Sequence, residues 1–137
     1  MSPFRRSTLV VCVDIDRVIV VPTARGACAG NARQLAGLDL RSGDAARALE
    51  PLRAMLAEPG WKGLEREILL SDRLAHYFVM ERPEGIRTFH ELQLALESRL
   101  QYLFEIRLAD WVLRVDAKPF APSFVACAIP RRLIVGL

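Results

Sequence analysis

Long apolar runs are missing from this chain, and so are most of the patterns that accompany catalysis. The longest apolar stretch near the start, residues 9–13, is too short for the core of a signal peptide and is followed by acids. No segment approaches the ~20 apolar residues of a membrane-spanning helix. The expectation is a soluble cytoplasmic chain, peripheral to any membrane, whose membrane connection lies in a partner or in a missing segment.

Cysteine, lysine and histidine are equally sparse. Three cysteines with no Cys-x-x-Cys spacing fit reduced thiols better than a disulfide framework. Cys12 and Cys127 sit inside apolar runs and read as small buried residues, whereas Cys28, between Gly26 and Gly30, is expected to be accessible. Lys62 and Lys118 are the only lysines, so the positive charge rests on arginines. These are scattered, with only Arg5–Arg6 and Arg131–Arg132 adjacent, and the net charge of +3 is mild. A nucleic-acid binder concentrates its charge in a stripe or patch, so no nucleic-acid partner is expected.

No Gly-x-x-x-x-Gly-Lys-Ser or Gly-x-Gly-x-x-Gly run offers a phosphate cradle, and neither Ser71 nor Ser98 lies in a Gly-x-Ser-x-Gly elbow. His76 stands among strand aromatics, and His90 in a helix start has no second ligand at metal spacing. No cofactor is predicted.

What is present is a core. Hydrophobic residues make up 52% of the 137 residues and charged residues 26%, which suffices for one folded domain with a wet surface. The β-branched runs TLVVCV (8–13) and VIVVP (18–22), separated by DIDR (14–17), predict a hairpin. After a loop around Gly26 to Gly30, RQLAGLDL (33–40) predicts a third strand.

Asp44 caps a helix with Ala45, Leu49, Leu52 and Leu56 on one face, which Pro51 should kink or split and Pro59-Gly60 ends. EILL (67–70) and LAHYFVM (74–80) predict two strands joined at residues 71–73. Thr88-Phe-His-Glu91 is a capping box that opens a helix. On that helix Phe89, Leu92, Leu96, Leu100 and Leu103 form the expected core stripe, with Leu94 opposite and Tyr102 on the flank. WVLRV (111–115) and FVACAI (124–129) predict a last hairpin with a long loop, and Pro130 stands where a final helix begins.

One set of residues fits metal chemistry. Asp14 and Asp16 after the first strand, Glu50 on the first helix and Asp72 after the fourth strand are placed as in a ribonuclease-H-like nuclease, where carboxylates hold two metal ions. The alternative is that Asp14 and Asp16 occupy a turn, which Asp tolerates well. Four other residues, Tyr77, Leu94, Tyr102 and Trp111, are the candidates for contact with a protein partner.

The element order and three passages resemble actin-like proteins of the PilM and GspL kind. The passages are ILLSDRLAHYFVM (68–80), the helix and strand start 92–111 ending in Ala-Asp-Trp, and FVACAIPRRL (124–133). The resemblance implies an α/β (α+β, mixed-sheet) fold, the first lobe of a ribonuclease-H/actin-like protein. Residues 1–72 would form a meander, helix and strand, 73–129 a strand-helix-strand-strand module, and 130–137 a helix start.

The resemblance further implies a scaffold at the cytoplasmic face of the bacterial inner membrane. Its partners would be an assembly ATPase or a single-pass inner-membrane protein of a type II secretion or type IV pilus machine, with a homodimer left open. Nucleotide residues do not transfer. The actin-like phosphate loop is Asp-x-Gly, and Asp14-Ile-Asp16 puts an acid where glycine lets the backbone approach a phosphate. A complete nucleotide site also needs a second lobe. A metal-dependent nuclease using Asp14, Glu50 and Asp72 is the competing expectation, and a nucleotide-sensing regulator a third.

Overall fold

In the first strand alternate residues turn to one side, and this decides the first sheet. The computed structural model describes residues 7–24, 27–41, 44–116, 118 and 121–137. Strand β1 (Ser7–Val13) buries Leu9, Val11 and Val13. It pairs antiparallel with β2 (Arg17–Ala24), where Val20 lies opposite Val11 and Val18 opposite Val13. All five are buried on the period-2 spacing of a half-covered sheet.

The third predicted strand forms as β4 (Arg33–Ala36), antiparallel to β2, and a two-residue strand β3 (Ala27–Cys28) also pairs with β2. Beyond β4 the amides of Leu38 and Leu40 donate to the carbonyls of Asp16 and Ile15, drawing the segment toward the hairpin turn. On the other side of β1 lies β5 (Glu65–Leu70), which is parallel to it. The sheet is therefore mixed.

Pro51 splits the predicted helix in two. Helix α1 (Ala45–Ala48) is capped by Asp44, whose side chain accepts from the Arg47 amide. Helix α2 (Glu50–Leu56) restarts after Leu49 with Pro51 in its first turn, where a missing N–H costs no hydrogen bond. Their apolar face, Ala45, Leu49, Leu52, Met55 and Leu56, is buried.

The chain packs as two compact units. One runs to Leu74 and takes in Val135–Leu137; the other is Ala75–Ile134. In the first, Arg53 donates to the Gly136 carbonyl from Nε and Nη2 at 3.1 and 3.0 Å. A side chain at Gly136 would bring its Cβ to 2.9 Å from Leu49 Cδ1, so the end of that leucine would have to move aside.

The second unit is a three-stranded antiparallel sheet in the order β6-β8-β7. Strand β6 (His76–Glu81) starts later than predicted, because Asp72–Leu74 winds into a 3-10 turn, with the Leu74 amide donating to the Ser71 carbonyl. It pairs with β8 (Ser123–Pro130), not with β5. Between β6 and β7 (Trp111–Asp116) comes helix α3 (Phe89–Phe104), opened by the predicted capping box.

Leu92, Leu96 and Leu100 of α3 pack with Phe78, Phe124, Ala126 and Ala128. The small side chains of Ala126 and Ala128 on the central strand leave room for the helix, and the two phenylalanines fill the remainder. Each fully buried leucine is worth roughly 2 kcal/mol of transfer free energy. Two members of the expected core stripe fall outside it: Phe89 is 62% exposed and Leu103 40%. They stand at the two ends of the helix, and at the C-terminal end Phe104 rather than Leu103 packs against the core. Helix α4 (Arg131–Gly136) follows β8 directly, so Pro130 is the last strand residue and not the first helical one.

Candidate functional site

The acids that suggested metal chemistry are each engaged locally. Asp14 and Asp16 lie in the turn from β1 to β2, closed by the Asp14 amide donating to the Arg17 carbonyl at 2.9 Å. Asp14 Oδ1 accepts from the Ile15 amide at 2.8 Å, and Oδ2 lies 3.7 Å from Arg73. The Ile15 amide, the Ser71 hydroxyl and the nearby Arg73 and Arg17 charges hold the Asp14 carboxyl below its ordinary value.

Asp16 pairs with Arg17 at 3.1 Å, Glu50 with Arg53 at 3.4 Å, and Asp72 receives a long contact from the Ser71 hydroxyl at 3.4 Å. Among the described residues no three His, Cys, Asp or Glu side chains gather where they would hold a metal ion. This overturns the expected convergence of Asp14, Glu50 and Asp72. Glu50 sits in the first turn of α2, where Pro51 restarts the helix, and its carboxylate turns along that helix to Arg53.

The four residues predicted to meet a partner separate into different environments. Trp111 is half-buried against the core of the second unit. Its ring stacks on His76 at 4.7 Å, and Phe104 stacks on His76 at 4.2 Å. Burial in this aromatic cluster lowers the His76 pKa, which favours the neutral imidazole. Leu94 is 52% exposed on the outer face of α3, and Tyr102, 78% exposed, carries the Arg99 guanidinium 5.7 Å from its ring centroid.

Tyr77 belongs to a surface that the sequence does not announce. It projects from β6 on the face opposite Phe78, together with Val79, and Val125 lies directly across from Val79 on β8. All three are more than half exposed, Val79 reaching 65%. Beside them Cys127 faces Tyr77; burial raises its thiol pKa, opposed by a hydrogen bond with Tyr77. The thiol stays protonated at neutral pH and is a poor nucleophile.

HYFVM and FVACAI are apolar at almost every position, so no polar alternation distinguishes the covered face from the bare one. The only available signal is period 2 counted from a residue known to be inside: once Phe78 is placed, Tyr77 and Val79 must face outward. A contiguous apolar face on a sheet marks a contact surface more often than an isolated leucine does.

No protein-family model matches the sequence, and no curated protein matches it. Among solved structures, the fold is similar to that of the cytoplasmic domain of EpsL, an inner membrane component of the type II secretion system of Vibrio cholerae. The TM-score is 0.65 at 14% identity, over 94% of this chain and 49% of that one. The chain thus spans about half the length of the structure it matches. No helix among the described residues is long and apolar enough to cross a membrane. The structure places this chain with the fold of a secretion-system component's cytoplasmic domain, as a mixed α/β protein.

Proposed function

We propose that this chain is a non-catalytic adaptor domain on the cytoplasmic side of a bacterial type II secretion or type IV pilus assembly platform, where it binds the assembly ATPase or a single-pass inner-membrane protein. The observation that carries this reading is the likeness to the EpsL cytoplasmic domain over 94% of the chain. The strand arrangement supports an actin-like first lobe: an antiparallel meander β4-β2-β1 continued by the parallel strand β5. The apolar face formed by Tyr77, Val79 and Val125 gives such an adaptor a surface whose burial would drive association.

The test is capture from the native cytoplasmic and membrane fractions, with the captured proteins identified by mass spectrometry. The full chain should retain an assembly ATPase or a single-pass inner-membrane protein, and Val79→Asp together with Val125→Asp should lose it while unfolding at the same denaturant midpoint. Failure to retain either class sinks the reading. A parallel thermal-shift titration with Mg²⁺, Mn²⁺ and ATP should be silent; a saturable stabilisation would return the chain to the enzymes or nucleotide sensors.

A further inference from the structure

Strand β7 is an edge of the second sheet, and two of its outward carbonyls, those of Trp111 and Leu113, accept from arginine side chains instead of from another strand. Proline has no N–H, so Trp111 opposite Pro130 is a non-hydrogen-bonded pair, and by alternation so is Leu113 opposite Ala128. The backbone N–H and C=O groups of Trp111, Leu113 and Val115 therefore point away from β8. The hydrogen bonds agree with this. Arg131 Nη2 donates to the Trp111 carbonyl at 3.3 Å, its Nε to the Ala109 carbonyl at 3.0 Å, and Arg114 Nη1 to the Leu113 carbonyl at 3.1 Å.

Alongside this edge runs a groove whose other wall is α3. Two cavities of ≈ 200 and ≈ 180 Å³ lie side by side along it, with Gln93, Leu113 and Arg114 lining both. The first also reaches Leu100 and Trp111, and the second Leu96 and Phe89. The lining is mixed, predominantly polar in the first cavity and predominantly apolar in the second. Of the charged lining residues, Arg114 comes from β7, Arg131 from the start of α4 and Glu97 from α3, where Glu97 accepts from Gln93 at 3.0 Å. Two guanidiniums face one carboxylate.

We infer that the groove between α3 and β7 receives an extended segment of a partner protein, which adds as a strand to the β7 edge. The occupant alternates apolar residues, one of them seated in the cavity lined by Phe89, Leu96 and Val115, with acidic residues directed at Arg114 and Arg131. Strand addition beside a helix supplies main-chain hydrogen bonds for affinity and side-chain pockets at every second residue for selectivity. The incoming amides take over the Trp111 and Leu113 carbonyls, and the released guanidiniums pair with the ligand's carboxylates. This deepens the adaptor reading, on which it rests, by naming a partner chemistry and a mode of binding at a surface other than the Tyr77, Val79 and Val125 face.

The probe is a displayed library of random peptides about ten residues long, enough to span a six-residue strand with overhang, selected on the intact chain. Selected peptides should alternate apolar and acidic residues. On binding they should protect the Leu113 and Val115 amides from hydrogen exchange. Arg114→Glu should weaken them about tenfold or more by placing like charges together. Gln93→Trp, a bulkier side chain at a position lining both cavities, should abolish binding, whereas Tyr77→Asp on the other face should leave it unchanged.

Recovery of no binding peptides overturns the proposal. So does binding that leaves the β7 amides unprotected, or binding insensitive to both groove variants. An edge that only repels strands, with its arginines as guards, gives the first result. The two readings fail separately. Capture of the ATPase or membrane protein unaffected by Gln93→Trp removes the groove and keeps the adaptor, while peptide binding in the groove with neither protein captured does the reverse.

Discussion

The imidazole of His76 lies flat on the ring of Phe104, with centroids 4.2 Å apart and planes inclined by 13°. Trp111 stacks on the same imidazole at 4.7 Å, so the first residue of β6, the last of α3 and the first of β7 meet in one cluster. Its position makes the charge on His76 a matter of stability. Burial lowers the folded-state pKa below the ordinary 6.5, so protonation is easier in the unfolded chain.

The pH dependence follows with a definite sign. Stability from this group is complete above about pH 6.5, the unfolded value, and falls as the pH drops through that value toward the lower folded one, below which it levels off. Urea unfolding at about pH 7.5 and about pH 5 should show the loss, and His76→Phe, which keeps the stacking and removes the charge, should flatten the profile between those values. An unchanged profile in His76→Phe would assign the loss to other groups.

Leu96 and Leu94 are two residues apart and should respond oppositely to truncation. Leu96 is fully buried in the core of the second unit, so Leu96→Ala should cost about 2–5 kcal/mol in chemical unfolding. Leu94→Ala on the outer face should stay within about 0.5 kcal/mol.

Thr88→Ala removes the hydroxyl that accepts from the Glu91 amide at 3.1 Å, and should lower stability by about 1 kcal/mol. The other half of the box is pH-sensitive. The Arg87 and Thr88 amides both donate to Glu91 Oε2 and hold its carboxyl below the ordinary value, so this contribution is present above the unfolded pKa and disappears as the pH falls through the folded one. Glu91→Gln should abolish that acid-side loss, read as the change in unfolding midpoint on acidification.

Glu105 ends α3 in the left-handed region, at φ 51°, where a Cβ is crowded and glycine is not. Glu105→Gly should raise stability by about 1 kcal/mol, measured as a higher denaturant midpoint with an unchanged slope. A lower midpoint would mean that the glutamate side chain stabilises the native state by more than its backbone costs.

Signals confined to a few neighbouring residues were legible. Thr88 and Glu91 mark a capping box by residue type and spacing alone, and the break at Leu49 follows from what proline does to a helix. The first hairpin is similarly local, because TLVVCV and VIVVP are joined by DIDR, three of whose four residues are charged. The fate of the acids was not local. Asp14, Glu50 and Asp72 stand at plausible element ends, but whether carboxylates converge depends on side-chain direction and on which arginine reaches them first.

Sequence by itself determined the local signals: where strands alternate and where Asp44 and Thr88 open helices. Tertiary structure alone decided which strands share a sheet, that Phe89 and Leu103 stay outside the core while Trp111 joins its margin, and that β7 is left as an edge beside a groove. The reason is the range of the forces involved. Capping and turn preferences act within one chain segment, whereas sheet partnership and burial are settled by competition among segments far apart in sequence, and no short stretch carries the outcome of that competition.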